Sequence, residues 1–368
     1  MKILYAIQGT GNGHVARAMD IIPILNKKAA VDVLISGTQA DLDLPFPVKY
    51  RFSGLSFIFG KKGGIDLMET YKKSHLKKLL QEIKSLPVED YDLVISDFEP
   101  VSSWACYIKN IECIALSHQS AVMNKKSPQA KHIDPVGKAV LKAYAPSSAQ
   151  YGFHFKSYAD NIYTPVIRQQ IREAAVGNKG HYTVYLPAYN DRRIINLLSQ
   201  VKNVKWEIFS KHFKHKVNLK NIEVFPVHNE SFIASMASAD GVLCGAGFET
   251  PAECLFMKKK LLVIPMKKQF EQHCNAAALK EMGVPVMKSL KQKHLTILQD
   301  WINSEERISV NYPDITAEII DTILEKHHNI QFHSNGISYL KSDNIHGEVS
   351  AKELKKLTLK RIISKLAN

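Results

Sequence analysis

A histidine directly after a glycine-rich turn is the first residue of this chain that could do chemistry. The turn GTGNG places Gly9, Gly11 and Gly13 after the apolar run KILYAIQ, and His14 follows at once. An imidazole can take a proton from a hydroxyl group near neutral pH when a carboxylate orients it. Asp97, which ends the apolar run DLVISD, is the candidate carboxylate.

The glycine turn itself predicts contact with a phosphate. Glycines let an anion approach the backbone, and the N-terminus of the following helix offers free N–H groups and partial positive charge. The spacing differs from the GxGxxG of dinucleotide-binding domains, and the second strand, VDVLISGT, ends without an acidic residue for an adenosine ribose. A nicotinamide cofactor is therefore not expected, whereas a purely structural tight turn stays open as an alternative.

The elements that would position these residues alternate as in a parallel α/β sheet. Five strand-like runs in the first half are followed by five more after residue 180, with helical patterns between them. We predict two doubly wound, Rossmann-like domains, 1–163 and 181–330, which face a central cleft. Residues 164–180 are predicted as a linker, and 331–368 as a polar segment with a basic amphipathic tail.

Strand order predicts that the histidine and the carboxylate meet. In the common order 3-2-1-4-5, strand one neighbours strand four at the edge where the carboxyl ends of the strands bind ligands. His14 and Asp97 should therefore face one crevice. The alternative is that Asp97 caps the helix that follows it and that His14 bonds only to backbone.

A second glycine turn, GAGFET, lies within the stretch 239–284 between an apolar strand and a helix. The backbone N–H groups from Gly247 to Thr250 would be open to a diphosphate, and the Thr250 hydroxyl would join them. Glu253, in the first turns of the helix, suits the two hydroxyls of a ribose. Three side chains after the next strand suit the hydroxyls of a sugar: Gln269, Glu271 and Gln272.

These motifs together resemble the nucleotide-sugar signature of GT-B glycosyltransferases. The pattern is Gly-x-x-Thr-x-x-Glu, then an apolar strand ending in Pro, then Glu-Gln-x-x-Asn-Ala. The nearest likeness is to glycosyltransferase family 28, which includes the peptidoglycan N-acetylglucosaminyltransferase; the UDP-glycosyltransferases are more distant. The opening GTGNGH resembles the glycine loop of that family, which ends in the same His. The likeness covers roughly 1–20, 92–120 and 220–285.

The resemblance implies that domain 1–163 binds the acceptor and that domain 181–330 binds the nucleotide sugar, and it implies a role for each motif residue. His14 would be the base and Asp97 its partner, while the backbone near Val227 would contact the nucleotide base. The implied donor-binding residues are Gly11, Asn12, Gly13, Gly245, Ala246, Gly247, Phe248, Glu249, Thr250, Glu253, Gln269, Glu271 and Gln272. Many relatives carry a phosphate-binding His where this chain has Gly245, so phosphate binding would depend more on backbone amides.

The implied reaction is an inverting transfer of a sugar from a nucleoside diphosphate, UDP first among the candidates, to an acceptor hydroxyl. The transition state would be oxocarbenium-like. No cofactor is expected, and a metal role is not favoured although Asp41-Leu-Asp43 and Asp90-Tyr-Asp92 form DxD triplets. Two other classes stay open: a nucleotide-sugar 2-epimerase of the same fold, and a nucleotide-sugar-binding protein without chemistry.

The net charge of +14 indicates an anionic partner. Nucleic acid is not favoured, because interleaved aromatic and basic residues are lacking. Lysines cluster in 61–84 and 351–368, and 50–67 is aromatic and basic, so we expect a lipid-linked or cell-envelope acceptor and an anionic membrane surface as partners. The five cysteines include no CxxC pair, and the sequence shows neither a signal peptide nor an apolar run of spanning length. These features predict a cytoplasmic protein, peripheral on the inner face of the membrane.

Overall fold

Two parallel sheets, each covered by helices, make up the chain, and the predicted α/β class is confirmed. The computed structural model describes residues 1–37, 44–55, 59–60, 64–65, 76–130 and 135–328. The Asp41–Asp43 triplet, most of the segment 56–75 and the tail 331–368 lie outside these residues. No helix of the described part combines the length and the apolarity that crossing a bilayer requires.

The first lobe contains a seven-stranded sheet in the order β3-β2-β1-β6-β7-β8-β9, with every pair parallel. Its strands are β1 (Lys2–Gln8), β2 (Ala30–Ser36), β3 (Tyr50–Phe52), β6 (Leu93–Asp97), β7 (Cys113–Ser117), β8 (Ala149–Phe153) and β9 (Ile162–Tyr163), with a separate two-stranded hairpin of β4 (Phe59–Gly60) and β5 (Gly64–Ile65). Its helices are α1 (Asn12–Asn26), α2 (Leu76–Ser85), α3 (Pro100–Lys109), α4 (His118–Met123) and α5 (Pro135–Tyr144).

The second lobe contains a six-stranded sheet in the order β12-β13-β11-β10-β14-β15, in which only the edge strand β12 is antiparallel among the described pairs. Its strands are β10 (His181–Tyr185), β11 (Lys205–Ser210), β12 (Val217–Leu219), β13 (Ile222–Pro226), β14 (Gly241–Gly245) and β15 (Lys260–Ile264). The remaining helices are α6 (Gln169–Arg172), α7 (Asp191–Leu198), α8 (Asn229–Ser238), α9 (Glu249–Phe256), α10 (Phe270–Glu281), α11 (Leu295–Asn303) and α12 (Thr316–His328).

Strand β1 shows why its sequence is a continuous apolar run. Tyr5 and Ile7 belong to one buried cluster, whereas Leu4 and Ala6 belong to another on the opposite face of the sheet. A strand covered by helices on both sides has no polar face, so alternation disappears from its sequence. An inner strand of the sheet could therefore be recognised from residues 2–8 alone.

Strand register positions both glycine turns. In the first lobe Ile7 pairs with Asp97, so the turn after β1 begins beside the carboxyl end of β6. In the second lobe Gly245 pairs with Ile264, so the turn after β14 lies beside the loop that follows β15. The candidate residues of each lobe are thereby gathered at one edge of its sheet.

The chain crosses between the lobes twice. Lys259, buried in the second lobe, donates to the carbonyl oxygens of Gly177 and Ala239 and so holds the linker. Helix α12 returns to the first lobe, where Asp321 pairs at 2.5 Å with Lys28, two residues after the end of α1. This helix lies within the predicted range 181–330, and its Asp321 contacts the first lobe.

The predicted strand order 3-2-1-4-5 is present in both lobes, with additional strands at the edges. Besides the β4–β5 hairpin, three strands of the two sheets were not predicted: β8, β9 and β12. They are edge or next-to-edge strands, and their sequences AQYGF, IY and VNL carry no apolar run. Five described helices were not predicted either: α4, α5, α6, α11 and α12. The first of them, α4, begins at His118, directly after strand β7.

Candidate active site

His14 and Asp97 form a hydrogen-bonded pair at the carboxyl edge of the first sheet. The distance from His14 Nδ1 to Asp97 Oδ1 is 2.8 Å, and the Asp97 side chain is wholly buried while His14 is 14% exposed. Asp97 does not cap the following helix; Glu99 does, since its carboxylate accepts from the backbone N–H groups of Val101 and Ser102. The predicted juxtaposition is therefore present, and the structural alternative for Asp97 is not.

Arg17 completes this cluster, and the sequence analysis did not identify it. Its guanidinium donates to both carboxylate oxygens of Asp97 at 2.7–3.0 Å, and Nη1 donates to Glu249 Oε1 of the second lobe at 2.7 Å. The side chain is 2% exposed. Arg17 lies three residues after His14 on α1, so the two side chains share a helix face. That spacing is the signal that could have revealed it.

Neighbouring charges keep Asp97 ionised. Burial alone would raise the pKa of Asp97, but the cation of Arg17 and the bond from His14 outweigh it and hold the pKa below its ordinary value. Burial likewise opposes the charge of Arg17, while Asp97 and Glu249 raise the pKa of its guanidinium. Because Asp97 is an anion, His14 Nδ1 carries the proton toward it, and Nε2 is the nitrogen left to accept a proton.

Gln119 on α4 contacts that second nitrogen. Its amide nitrogen lies 3.4 Å from His14 Nε2 and donates to Glu271 Oε2 of the second lobe at 3.1 Å. The bond to the Glu271 carboxylate fixes the orientation of the amide, because a carbonyl oxygen there would repel it. Gln119 was not predicted, whereas Glu271, predicted to bind the sugar, lies within this cluster.

The glycine turn of the second lobe lies opposite the first. Glu249 begins α9, and its carboxylate occupies the space where a side chain on Gly13 would be. Ala246 and Phe248 are buried, while Gly245, Gly247 and Thr250 are half-buried, and nothing lies within 4 Å of a Cβ built on Gly247. The backbone of the turn is accessible at Gly247, although its two apolar side chains are packed into the protein.

Phe248 and the His118 ring form the apolar contact beside the cluster. The two rings stack with centroids 3.9 Å apart and planes 5° apart. His118 Nε2 lies 2.8 Å from the side-chain oxygen of Asn275, and Nδ1 lies 2.8 Å from the Phe153 carbonyl oxygen. Burial lowers the pKa of His118 despite the nearby Glu271 carboxylate. The lobes are thus in contact through both polar and aromatic groups.

Glu253 is placed differently from its predicted ribose role. It is 3% exposed, and its two carboxylate oxygens accept from Arg168 of the linker at 2.5 and 3.0 Å. Burial raises the pKa of Glu253 although the Arg168 cation opposes that rise. In this structure the carboxylate fastens the linker to helix α9. Arg168 gave no signal in the sequence, because its partner lies 85 residues away.

The remaining predicted residues include two glutamines with local hydrogen bonds and two residues at the start of α1. Gln269 caps α10 by accepting from the Gln272 backbone N–H at 2.6 Å, and Gln272 Oε1 accepts from Met266 N at 2.9 Å. Gly11 is the N-cap of α1 in extended conformation, and Asn12 is its half-buried first residue. Among the described residues, no three His, Cys, Asp or Glu side chains are grouped so as to hold a metal ion.

The contact between Gly13 and Glu249 generates a stability prediction. Alanine for glycine within a helix normally stabilises it by up to about 1 kcal/mol, yet a Cβ at Gly13 would lie 2.4 Å from Glu249 Oε2. We expect Gly13→Ala to lower the thermal unfolding midpoint. The control is Gly11→Ser, which adds a favourable N-cap with nothing within 4 Å. Stabilisation by Gly13→Ala would show that Glu249 is not held against this position.

The depressed pKa of Asp97 generates a prediction about pH. Its charge stabilises the fold fully above the ordinary aspartate value of about 4, and this contribution is lost as the pH falls through the lower folded value. We expect Asp97→Asn to reduce the free energy of unfolding by about 3–5 kcal/mol at neutral pH, because buried Arg17 loses its counter-ion. Urea titrations should show the difference from wild type shrinking as the pH falls below the ordinary aspartate value of about 4.

The matched control for this series is Asp90→Asn, which alters an exposed aspartate just before the same strand. It should change stability little at any pH. A penalty for Asp97→Asn that stays constant across the range would contradict the assigned charge state.

Comparison with known proteins agrees with this fold. The family model described as glycosyl transferase family 1 matches residues 1–304. The fold resembles Acinetobacter baumannii MurG (16% identity, 88% of this chain and 99% of that chain, TM-score 0.52). It also resembles Arabidopsis thaliana UGT89C1 complexed with UDP (14% identity, 100% and 99% covered, TM-score 0.54) and the glycotransferase of kitacinnamycin (11% identity, 89% and 95% covered, TM-score 0.53).

No curated protein sequence matches the chain significantly. The family model nevertheless spans most of both lobes, and the solved structures share the arrangement of two facing sheets. The predicted resemblance to GT-B glycosyltransferases is thereby confirmed. The chain belongs to glycosyl transferase family 1 and is a glycosyltransferase of the GT-B fold.

Proposed function

We propose that this glycosyltransferase moves a sugar from a nucleoside-diphosphate donor, with a UDP-sugar as the first candidate, to an acceptor hydroxyl with inversion at the anomeric carbon. The observation that carries the proposal is the His14–Asp97 pair, 2.8 Å apart, beside the meeting point of the two glycine turns. A base on one lobe faces a phosphate-binding helix terminus on the other. That is the arrangement an in-line displacement requires.

The reaction divides between the two lobes. His14 Nε2 takes the proton of the acceptor hydroxyl, and ionised Asp97 stabilises the imidazolium that forms. The acceptor oxygen bonds to the anomeric carbon while the bond from that carbon to the diphosphate breaks, and its electron pair leaves on the phosphate oxygen. The N–H groups at the start of α9 stabilise the negative charge on that oxygen. We assign the stabilisation of the leaving group to this helix terminus, so the transfer is metal-independent.

The donor lies, in this proposal, along the turn from Gly245 to Thr250, with the nucleotide base near Val227 at the end of β13. The backbone around Gly247 is the accessible part of the turn, which supports binding through amides. UGT89C1, a structure of the same fold, was solved with UDP. Glu271 would bind sugar hydroxyls, and doing so would bring the donor sugar beside Gln119 and His14.

Calorimetry with UDP-, GDP- and dTDP-sugars tests the donor assignment. We expect one nucleotide series to bind, with UDP-sugars preferred. His14→Ala should bind the same donor with unchanged affinity, while turnover falls by about 10²–10⁴-fold because the proton acceptor is lost.

Two controls accompany this experiment. Conversion of the donor to its 2-epimer without any acceptor would show an epimerase instead of a transferase. Full turnover by His14→Ala would remove His14 as the base, and failure of the wild type to bind any nucleotide would contradict the proposed function itself.

We also infer that the acceptor is lipid-linked and that the protein docks on the anionic inner face of a membrane. The support is the charge of +14 and the exposed face of α2, where Lys77, Lys78 and Lys84 accompany Leu80, which is 43% exposed. Basic side chains around an apolar residue suit anionic headgroups.

Vesicle sedimentation tests this inference. The protein should sediment with phosphatidylglycerol-containing vesicles at low salt and remain unbound with phosphatidylcholine vesicles, because the attraction is electrostatic. Lys77→Glu/Lys84→Glu should weaken sedimentation, whereas Lys202→Glu/Lys205→Glu, an equal change on exposed lysines of the second lobe, should not. Equal sedimentation with both kinds of vesicle would contradict the membrane assignment.

A further inference from the structure

The proposed donor site contains a charge that should oppose its ligand. Glu249 is the first residue of α9, the helix whose N-terminus would receive the diphosphate. Its side chain is 27% exposed and acidic. Like charges at close range repel strongly in a partly buried site, so a carboxylate at this position needs a compensating cation if a diphosphate is to bind.

Arg17 supplies that cation from the opposite lobe. Its Nη1 donates to Glu249 Oε1 at 2.7 Å, while Nε and Nη2 donate to the two oxygens of Asp97. A guanidinium has five N–H donors in a fixed planar fork, so it can hold two carboxylates in one plane at once. Asp97 is buried at the end of β6, and its two bonds to the guanidinium orient the remaining nitrogen, Nη1, toward Glu249.

Gly13 makes room for this pairing. Both oxygens of Glu249 lie within 3.0 Å of the position of a Cβ on Gly13, so only a residue without a side chain allows the carboxylate to reach Arg17. The same helix α1 thus supplies the base His14, the cation Arg17 and the space for Glu249. These three features have one geometric consequence, which is a link between the base and the donor loop.

We propose that Arg17 is a positioning residue of the transfer, which holds Asp97 behind His14 and neutralises Glu249 so that the diphosphate can occupy the start of α9. The proposal rests on the proposed function, and it gives a role in the transfer to a residue outside the sequence motifs discussed above. The guanidinium orients the base through Asp97 and the donor through Glu249. It therefore affects both turnover and donor affinity, by separable routes.

The test is a charge-balance series measured with UDP by calorimetry and with the identified donor by steady-state kinetics. Arg17→Met leaves Glu249 uncompensated and should weaken UDP binding by about ten- to a hundredfold. Glu249→Gln removes the repelling charge and should tighten UDP binding about five- to tenfold. The double variant should bind UDP within about threefold of wild type, yet its turnover should stay low because Asp97 has lost its partner.

Arg17→Lys separates charge from geometry. It keeps the cation, so UDP affinity should remain within about threefold of wild type, but an ammonium cannot hold both carboxylates in one plane, so kcat should fall. The control is Arg192→Met, an exposed arginine on α7, which should alter neither quantity. Circular dichroism checks the fold of each variant, since Arg17→Met leaves Asp97 buried without its cation.

Each outcome decides the proposal. Unchanged UDP affinity in Arg17→Met, or no recovery in the double variant, overturns it. Recovery of both affinity and turnover in the double variant shows that Arg17 does not position Asp97, and that half of the proposal is then wrong. If Arg17→Met does not fold, Glu249→Gln alone decides, because weaker UDP binding would show that the carboxylate assists the ligand. Failure of the wild type to bind any nucleoside diphosphate contradicts the proposed function, whereas normal wild-type binding with unaffected variants contradicts only this inference.

Discussion

The buried carboxylate of Asp97 is the constraint on which the rest of the site depends. An ionised group without a partner in the interior costs several kcal/mol, and breaking a buried pair costs about 3–5 kcal/mol. The cost is offset because Asp97 accepts a bidentate hydrogen bond from Arg17 and a single hydrogen bond from His14. The fold must therefore bring the first turns of α1 to the end of β6, and the pairing of Ile7 with Asp97 does so.

The same requirement extends to the second lobe. Arg17 carries one charge but contacts two carboxylates, and the second of them, Glu249, belongs to the opposite sheet. Gln119 repeats this pattern, because its amide lies between His14 and Glu271. Apolar packing accompanies the polar contacts, since Val122 and Ala130 of the first lobe share a cluster with Phe270 and Cys274 of the second. The base and the donor loops are consequently parts of one packed unit, and the position of one depends on the other.

Features that depend on strand order could be predicted from the sequence, whereas features that depend on helix faces and on the linker could not. The apolar runs predicted the central strands, and their expected order predicted that His14 lies beside Asp97. The roles of Arg17 and Gln119 were not predicted, because the sequence does not distinguish a polar helix residue that contacts another element from one that faces solvent. Their contacts join residues 232 and 152 positions apart in the chain, and no local pattern encodes such a separation.

The interaction free energies at Glu253 show that a sequence motif alone does not establish the role of a residue. Its position in the motif implies a ribose contact, yet its two oxygens accept from Arg168 in a pair that is almost wholly buried. Two hydroxyl bonds to a ribose contribute about 0.5–1.5 kcal/mol each, or somewhat more because the acceptor is charged. Loss of the bond to Glu253 would leave the buried guanidinium of Arg168 without its anion, at a cost of about 3–5 kcal/mol. The ribose contact and the linker pair are therefore alternatives for the same oxygens. A donor that used Glu253 would have to provide Arg168 with another anion, and the diphosphate is the group on a nucleotide sugar that carries such a charge.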